Sequence, residues 1–360
     1  MDSIDKSSII CNGLAGVMDK SLKMSITTNM NSIGAALQTL YADLIRRVLS
    51  RPVRPGVVYV NVIRGRKYYY AKHMIGRTRV SRALGPKDDP AARRLAERLL
   101  AGQELARQDR TTISVLKRAG VPAPAVHLGR ILDALSAAGM FDDAVLVGAA
   151  AYQCYPPIVG YVLPSVALMA QDGAPATVRL VCGARPDDET VLEALRRAEP
   201  DFEAVQPQLP GAPGSRFRST STGFDVELLS VRHDGGGESP APAGKEDAAG
   251  TAPYQLLCWL AERPVRAVVL FGNGVTVRLP QPARHAVYRL IVAQARGSDR
   301  GSREKDLLQA EALITALREG DPYALSEAFA NACAHGGQAW QQAAEQSLAE
   351  IGLTIETSVR

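Results

Sequence analysis

The sequence predicts a mixed α+β protein, and three observations predict it. Strand-like and helical patterns alternate in the middle of the chain, with strands expected over 176–182 and 223–231 and a helix over 187–200. Longer segments with helical spacing flank this region on both sides. The chain has 360 residues, of which 46% are apolar, and this is enough for two domains with ordinary cores.

The N-terminal third predicts a basic helix-hairpin-helix module. Residues 32–50 carry leucines and valine at three- and four-residue spacing, which indicates an amphipathic helix. Residues 56–76 are rich in Val, Ile and Tyr and reverse at Arg64-Gly65, so a β-hairpin is expected there. An Asp-Asp-Pro start predicts a second helix over 88–109.

The same patterns predict the elements of the rest of the chain. A glycine-, proline- and alanine-rich stretch without periodicity predicts a flexible loop over 234–253. The other expected elements are a helix over 125–139, an apolar strand-like run over 143–150, a hairpin with an Asn-Gly turn over 265–280, helices over 281–296 and 303–320, and a helical tail. The predicted division is a flexible leader at 1–35, the basic module at 36–120, a core at 121–300 and a helical region at 301–360.

Composition excludes several classes of protein. The five cysteines are scattered without any Cys-x-x-Cys pair, which argues against a cysteine metal site or a disulfide framework and fits a reducing compartment. The first 34 residues resemble neither a signal peptide nor a membrane anchor. Because no apolar stretch is long enough to span a bilayer, we expect a cytoplasmic protein without membrane contact.

Positive charge is concentrated in one segment. Residues 46–87 contain twelve Lys and Arg and no Asp or Glu, which leaves 30 basic against 37 acidic residues elsewhere. Tyrosines interrupt the segment, and such a mixture suits phosphate contacts together with base stacking, as in binding of tRNA or another RNA. The candidate nucleic-acid-binding residues are Arg64, Arg66, Lys67, Tyr69, Lys72, Arg77 and Arg79.

The alternative for this segment is a solvated charged surface. In a strand, Tyr68 and Tyr70 share one face and Tyr69 lies on the other, so at least one of these tyrosines belongs to the core.

Carboxylates at strand spacing suggest two-metal phosphoryl transfer. Asp225 and Glu227 lie at i and i+2 on a predicted strand and therefore point to the same side. Asp172 follows a second apolar region, and Gly148 with three alanines forms a small turn that lets backbone amides approach phosphates. The alternative is a surface turn at Asp172 and a solvated edge strand at Asp225 and Glu227.

These residues resemble the bacterial nucleotidyltransferase-fold proteins, relatives of polymerase beta, of the minimal nucleotidyltransferases and of the abortive-infection toxin nucleotidyltransferases. The resemblance covers roughly residues 36–345 and lies in LYADLIRRVL, GRKYYY, GRTRVSRALGP, GVPAPAVHLGRILDALSAAGMFDDAVLVGAAAYQCY, FDVELLSV, LPQPARHAVYRLIVAQAR and REKDLLQAEALITAL. It implies a core sheet flanked by helices. It also implies transfer of a nucleoside monophosphate from an NTP to a hydroxyl on RNA, protein or a small molecule, with Mg²⁺ or Mn²⁺ and, by family analogy, in a toxin–antitoxin setting.

The resemblance also implies roles for individual residues. Asp172 matches the first acid of an Asp-x-Asp pair and Glu227 the third acid, so these two would hold the metals; Asp225 shares the face of Glu227. For the nucleotide, the matching positions are Gly148 and Ala149 in the turn beneath it, Arg289 where a phosphate-contacting lysine is usual, and the Lys305-Asp306 pair.

The chain departs from the family pattern at the acids. The pattern Thr-x-Asp-hydrophobic-Asp is replaced by Ala170-Gln171-Asp172-Gly173-Ala174, so the second acid is missing. Loss of a shared ligand weakens metal binding and leaves developing charge uncompensated. The alternative prediction is therefore a catalytically inactive member that acts as a nucleic-acid-binding or regulatory protein.

Overall fold

The computed structural model describes residues 30–51, 54, 56–164, 177–184, 186–205, 215–230, 254–296 and 300–356. The predicted α+β class is confirmed, since helices and sheets follow one another along the described chain. The predicted loop over 234–253 and most of the predicted leader lie outside the described residues.

The N-terminal region contains two helices around a three-stranded antiparallel sheet. Helix α1 (Ala35–Leu49) precedes the strands, and α2 (Pro90–Arg118) follows them. The strands, here called the N-terminal sheet, are β1 (Val57–Ile63), β2 (Arg66–Ile75) and β3 (Thr78–Pro86) in the order β1-β2-β3. The turn at Arg64-Gly65 is confirmed, but the predicted hairpin was incomplete because a second turn at Gly76 adds β3.

The predicted second helix begins as expected and is longer than expected. The side chain of Asp89 accepts a hydrogen bond from the backbone N–H of Ala91, so the helix is capped at its start, and Pro90 fits its first position. The helix continues to Arg118, nine residues beyond the predicted end.

A five-stranded sheet, here called the central sheet, has the strand order β4-β5-β8-β7-β6. Its strands are β4 (Val145–Val147), β5 (Thr177–Cys182), β6 (Phe202–Val205), β7 (Ser215–Ser219) and β8 (Asp225–Ser230). Strands β5 and β8 are parallel, and the other neighbours are antiparallel. Helices α3 (Val126–Ala137) and α6 (Asp188–Ala198) precede β4 and follow β5.

The apolar run over 143–150 is a strand only as far as Val147. Gly148 has φ of +72° and begins the short helix α4 (Gly148–Tyr152), which is followed by α5 (Pro156–Val159). The strand prediction over 143–150 was therefore wrong after Val147, because a left-handed glycine breaks the extended backbone there.

The C-terminal half is mostly helical. Helix α7 (Tyr254–Ala261) leads into a hairpin of β9 (Val265–Val269) and β10 (Val275–Leu279), and the helices α8 (Pro282–Ala295), α9 (Arg300–Gly320) and α10 (Pro322–Ile351) complete the chain. The predicted hairpin and helices are confirmed. None of the described helices combines the length and apolar character needed to span a membrane.

A buried carboxylate joins the N-terminal region to the rest of the molecule. Asp109 of α2 is fully buried, accepts a hydrogen bond from Arg47 Nε at 2.7 Å and forms an ion pair with Arg51. Arg51 also donates to the backbone carbonyl of Asn273 in the β9–β10 turn at 2.7 Å. The hydroxyl of Tyr41 donates to the carbonyl of Val268 at 3.0 Å, so α1 is fixed to the second hairpin.

The β2–β3 turn holds the N-terminal sheet against the core helices. The backbone N–H of Gly76 donates to Asp133 Oδ2 of α3 at 2.9 Å, and Arg54 donates to Oδ1 of the same carboxylate at 2.6 Å. The N–H of Arg77 donates to the carbonyl of Arg197 at the end of α6 at 2.9 Å. Ile75 is buried in the main hydrophobic core beside these helices.

Candidate functional site

Three strand ends meet at one edge of the central sheet. Strand β4 ends where antiparallel β5 begins, with Val147 opposite Arg179. Strand β8 runs parallel to β5, with Arg179 opposite Glu227 and Thr177 opposite Asp225. Gly148 therefore lies immediately beyond a row that contains Arg179 and Glu227, about two strand spacings, or roughly 10 Å, from Glu227.

Gly148 presents open backbone at this edge. Its φ of +72° is a left-handed conformation that only glycine adopts without strain. A Cβ atom added at this position would meet no heavy atom of the described residues within 4 Å. The described residues thus leave space beside this backbone, and Ala149 follows as the next small residue of the turn.

Asp225 and Glu227 lie on the same face of β8, as predicted, and arginines surround them. Glu227 Oε2 accepts a hydrogen bond from Arg179 Nε of β5 at 2.7 Å. Asp225 Oδ2 accepts from Arg216 Nη2 at 2.6 Å, and Arg218 of β7 donates to both oxygens of Asp225 at 2.7 Å. This set of three arginines and two carboxylates is called the arginine–carboxylate cluster below.

The arginines determine the ionisation of the buried acid. Burial alone raises the pKa of Asp225, but the hydrogen bonds from Arg218 and Arg216 outweigh burial, so the pKa lies below its usual value. The carboxylate is therefore ionised at neutral pH. Arg216 and Arg218 are 41% and 49% exposed, so the cluster presents its excess positive charge to solvent.

The sequence interpretation assigned the acids and missed Arg179, Arg216 and Arg218. A signal was present, since the alternation of SRFRS at 215–219 is complementary in charge to DVE at 225–227. Its use requires the register, in which Arg216 lies opposite Glu227 and Arg218 opposite Asp225. That register is a long-range pairing which the sequence pattern does not specify.

The described residues do not fit a divalent cation in this arrangement. Among them, no group of three or more His, Cys, Asp or Glu side chains is placed to hold a metal ion. Both oxygens of Asp225 and one of Glu227 already accept hydrogen bonds from arginine. Asp172, which lies five positions before Thr177 in the sequence, and Ala174 are outside the described residues.

Arg289 and Asp306 contact each other between two helices. Arg289 Nη1 of α8 donates to Asp306 Oδ1 of α9 at 2.5 Å, and Arg296 Nε donates to Oδ2 at 2.9 Å. All three residues have side chains at most one-tenth exposed. Within the described part of the chain, neither Arg289 nor Asp306 forms a hydrogen bond or ion pair with Asp225 or Glu227. Lys305 is exposed on α9.

A neutral histidine lies next to this buried pair and forms a hydrogen bond with Arg289. Arg289 Nε donates to His285 Nε2 at 3.1 Å, and the hydroxyl of Tyr155 lies 3.3 Å from Nδ1. Burial lowers the pKa of His285 well below its usual value, and the nearby Arg289 charge lowers it further. His285 is therefore uncharged and accepts the hydrogen bond from Arg289.

The structure distributes the predicted nucleic-acid-binding residues over both faces of the N-terminal sheet and its two turns. Tyr68 and Tyr70 share one face of β2 and Tyr69 lies on the other, as predicted. Tyr69 lies on the same face as the fully buried Ala71, and α2 covers that face. The candidate cations lie on the strands at Arg66, Lys67, Lys72 and Arg79 and in the two turns at Arg64 and Arg77.

Comparison with known proteins gives one family. A family model described as Nucleotidyltransferase matches residues 127–334, which is more than half of the chain. The matched part runs from α3 into α10 and includes Gly148, the arginine–carboxylate cluster and the Arg289–Asp306 pair. Searches of curated proteins and of solved structures each gave no match.

Proposed function

Because the chain belongs to the nucleotidyltransferase family, we propose that it binds an NTP at the edge formed by β4, β5 and β8. It transfers the nucleoside monophosphate to a hydroxyl on RNA, protein or a small molecule. The acceptor hydroxyl oxygen attacks the α-phosphorus and its proton is lost to water; the bond from that phosphorus to the bridging oxygen breaks, so pyrophosphate leaves. The observation that carries this proposal is the position of Gly148, at the end of β4, near the start of β8, the strand that carries Asp225 and Glu227.

Gly148 and the arginines supply the phosphate contacts in this proposal. The open backbone at Gly148 and Ala149 accommodates the triphosphate. Guanidinium groups bind phosphate oxygens in a bidentate geometry. Those of Arg216 and Arg218 are about half exposed on β7, three strand spacings, or roughly 14 Å, from this turn. Arg179, Arg216 and Arg218 are therefore proposed phosphate ligands.

The acids and the helix pair have separate proposed roles. Asp172 and Glu227 are the proposed acids of the site, with Asp225 beside them. A divalent cation, when bound, would neutralise the phosphates, but Glu227 and Asp225 are available to it only when released from their arginines. Lys305 is a proposed phosphate contact. Arg289 and Asp306 act indirectly, since their buried ion pair fixes α8 against α9.

A second candidate function is nucleotide or RNA binding without transfer. Two observations favour it. Every described carboxylate of the cluster is already paired with arginine. The sequence also has Ala174 in place of the second acid. A protein of this kind would bind ligand and regulate a partner without breaking the triphosphate.

Label transfer distinguishes the two candidates. The four α-³²P-labelled NTPs are incubated with total RNA and cell lysate in Mg²⁺ or Mn²⁺, with wild type, Asp172→Ala, Ala174→Asp and Arg179→Gln proteins. The expected result is labelling by wild type that Asp172→Ala abolishes. A matched control is Glu193→Gln, an exposed acid on α6, which should leave labelling unchanged.

The variants separate the remaining outcomes. Labelling that occurs only after Ala174→Asp would mean that the scaffold is intact and the chemistry has been lost. Labelling that rises in Arg179→Gln would mean that the arginine restrains Glu227. Silence from every variant, with NTP binding retained in a filter assay, would overturn the transferase proposal and leave the binding function.

A further inference from the structure

Among the described elements, a helix covers one face of the N-terminal sheet. Gly85 of β3 lies opposite Tyr69 of β2, and a Cβ added at Gly85 would lie 2.9 Å from Cβ of Ala92 in α2. The fully buried Ala71 points to the same side. Gln103 of α2 also donates to the carbonyl of Gly56 at 2.8 Å. Helix α2 therefore packs on the face that contains Tyr69.

The opposite face, here called the tyrosine face, carries aromatic, apolar and cationic side chains. Register places Tyr59 beside Tyr70, Asn61 beside Tyr68, and Val57 beside Lys72 on this side. Val57 and Met74 are 60% and 53% exposed, which is high for apolar residues of a sheet. The face comprises Val57, Tyr59, Asn61 and Ile63 of β1, Arg66, Tyr68, Tyr70, Lys72 and Met74 of β2, and Arg79 and Ser81 of β3.

Cations and rings are paired on the tyrosine face. The rings of Tyr59 and Tyr70 have centroids 5.6 Å apart and are inclined by 31°. Lys72 Nζ lies 4.4 Å from the centroid of Tyr59, and the guanidinium of Arg66 lies 6.0 Å from that of Tyr68. The rings are half-buried, so their packing holds them in place while part of each ring faces solvent.

The positive charge of segment 46–87 is largely uncompensated on this sheet. Three arginines that precede the strands pair with acids of the helices: Arg47 and Arg51 with Asp109, and Arg54 with Asp133. On the strands, Arg66 pairs with Asp88. By contrast, no described acidic side chain forms an ion pair with seven other cations of the segment, namely Arg64, Lys67, Lys72, Arg77, Arg79, Arg82 and Lys87. The unpaired cations all lie on the strands of the sheet or in the turns that bound them.

We propose that the tyrosine face binds single-stranded RNA. Bases stack on Tyr59, Tyr68 and Tyr70, and backbone phosphates contact Lys72 and Arg79. Tyr68 and Tyr70 are two strand residues, or roughly 7 Å, apart, so neighbouring unstacked bases can occupy them separately. Duplex RNA keeps its bases stacked and out of reach of flat aromatic platforms. A run of unpaired cations also favours a polyanion over a protein surface of mixed charge.

This assignment changes the residue set that the sequence suggested. Tyr69 was the predicted aromatic contact, but it lies on the face that α2 covers, whereas Tyr68 and Tyr70 lie on the opposite face; all three side chains are half-buried. Tyr59 joins them from β1.

Fluorescence anisotropy with the full chain tests the proposal, in the absence of NTP. The probes are a fluorescein-labelled oligo(U) 20-mer and a labelled 20-base-pair RNA duplex. Wild type should bind oligo(U) more tightly than the duplex. Tyr68→Leu and Tyr70→Leu should each weaken oligo(U) binding about tenfold, the equivalent of about 1.4 kcal/mol, which is within the range for stacking of one base on an aromatic ring. Tyr69→Leu is the matched control and should change binding less than twofold.

Two further comparisons distinguish loss of stacking from misfolding, and loss of phosphate contacts from a general change in charge. Tyr68→Phe and Tyr70→Phe keep the rings and should retain wild-type affinity. The double variant Lys72→Gln/Arg79→Gln should reduce the slope of log affinity against log salt by about 1.4. The double variant Arg46→Gln/Arg107→Gln removes the same charge from exposed helix positions and should leave the slope unchanged.

Three results would overturn the proposal. They are no oligo(U) binding at low salt, equal affinity for the duplex, or Tyr68→Leu and Tyr70→Leu proteins that bind like Tyr69→Leu. Because no NTP is present, the outcome does not depend on whether the protein transfers nucleotides.

Discussion

At Asp225, two arginines decide the charge state of a buried carboxylate. The sequence identified Asp225 and Glu227 as one acidic pair on one face of a strand, and the structure confirms that geometry. The pairing of each acid with arginine was not predicted, because it depends on neighbouring strands that lie up to 48 positions away in the chain.

The low pKa of Asp225 makes stability depend on pH. A carboxyl whose pKa is depressed by folding stabilises the protein above its unfolded pKa, about 3.8, and this contribution is lost as pH falls through the folded value. Asp225→Asn should therefore lower the free energy of unfolding by about 2 kcal/mol at pH 7. Urea unfolding from pH 7 down to pH 3 should show this difference shrinking below about pH 4. A difference that is independent of pH would contradict the ion-pair explanation, and Glu193→Gln is the exposed control.

Gly148 has a left-handed backbone conformation and lies at the proposed triphosphate site. Gly148→Ala should destabilise the protein by about 1–2 kcal/mol, because the left-handed backbone strains any residue with a Cβ. The added methyl would also enter the space proposed for the triphosphate and weaken NTP binding.

Gly272→Ala is the matched control for that variant. Gly272 in the β9–β10 turn also has a positive φ, of +58°, and a Cβ there would meet no heavy atom of the described residues within 4 Å. Thermal unfolding should show a similar loss of stability for both variants, while equilibrium binding of an NTP should weaken only for Gly148→Ala. Equal NTP binding by the two proteins would remove Gly148 from the site.

Among the elements, long periodic helices were predicted well and short strands poorly. The helices α1, α3, α6, α8 and α9 were expected close to their observed bounds, because each has an apolar stripe at helical spacing. Strand β7 was missed since only Phe217 and Ser219 of its five residues are buried, so its sequence carries no apolar alternation. Strand β3 was missed for the same reason, because none of its nine residues is fully buried.

The contact between α8 and α9 depends on the buried Arg289–Asp306–Arg296 group. Asp306→Ala would leave two nearly buried arginines without a partner and should lower the free energy of unfolding by about 3–5 kcal/mol. The triple variant Asp306→Leu/Arg289→Met/Arg296→Met should recover much of this loss, because no charge remains buried.

Urea unfolding provides the measurement for this element. Glu350→Gln, which removes a partly exposed partner of Arg303, is the control and should cost less than about 1 kcal/mol. A small effect of Asp306→Ala on stability, combined with a large loss of NTP affinity, would instead mean that Asp306 acts directly on the nucleotide.

For the molecule as a whole, the sequence predicted the fold class and the family. It did not predict which side chains lie together on each surface. The order of motifs predicted a nucleotidyltransferase-like protein, and the family match over 127–334 agrees. The face on which each tyrosine lies and the pairing of each carboxylate follow from strand neighbours and helix packing. Such contacts join distant parts of the chain and leave little local pattern.

The packing of α1 has a consequence for the order of events during synthesis. Tyr41 of α1 reaches the backbone of Val268, 227 positions later in the chain, and Arg51 reaches Asn273. At about 5–20 residues per second, a ribosome needs roughly 10–45 s to make the intervening polypeptide. During that interval α1 and the apolar side chains around Leu44 have no hairpin to pack against. We therefore expect the nascent N-terminal region to expose apolar surface until the second half of the chain emerges.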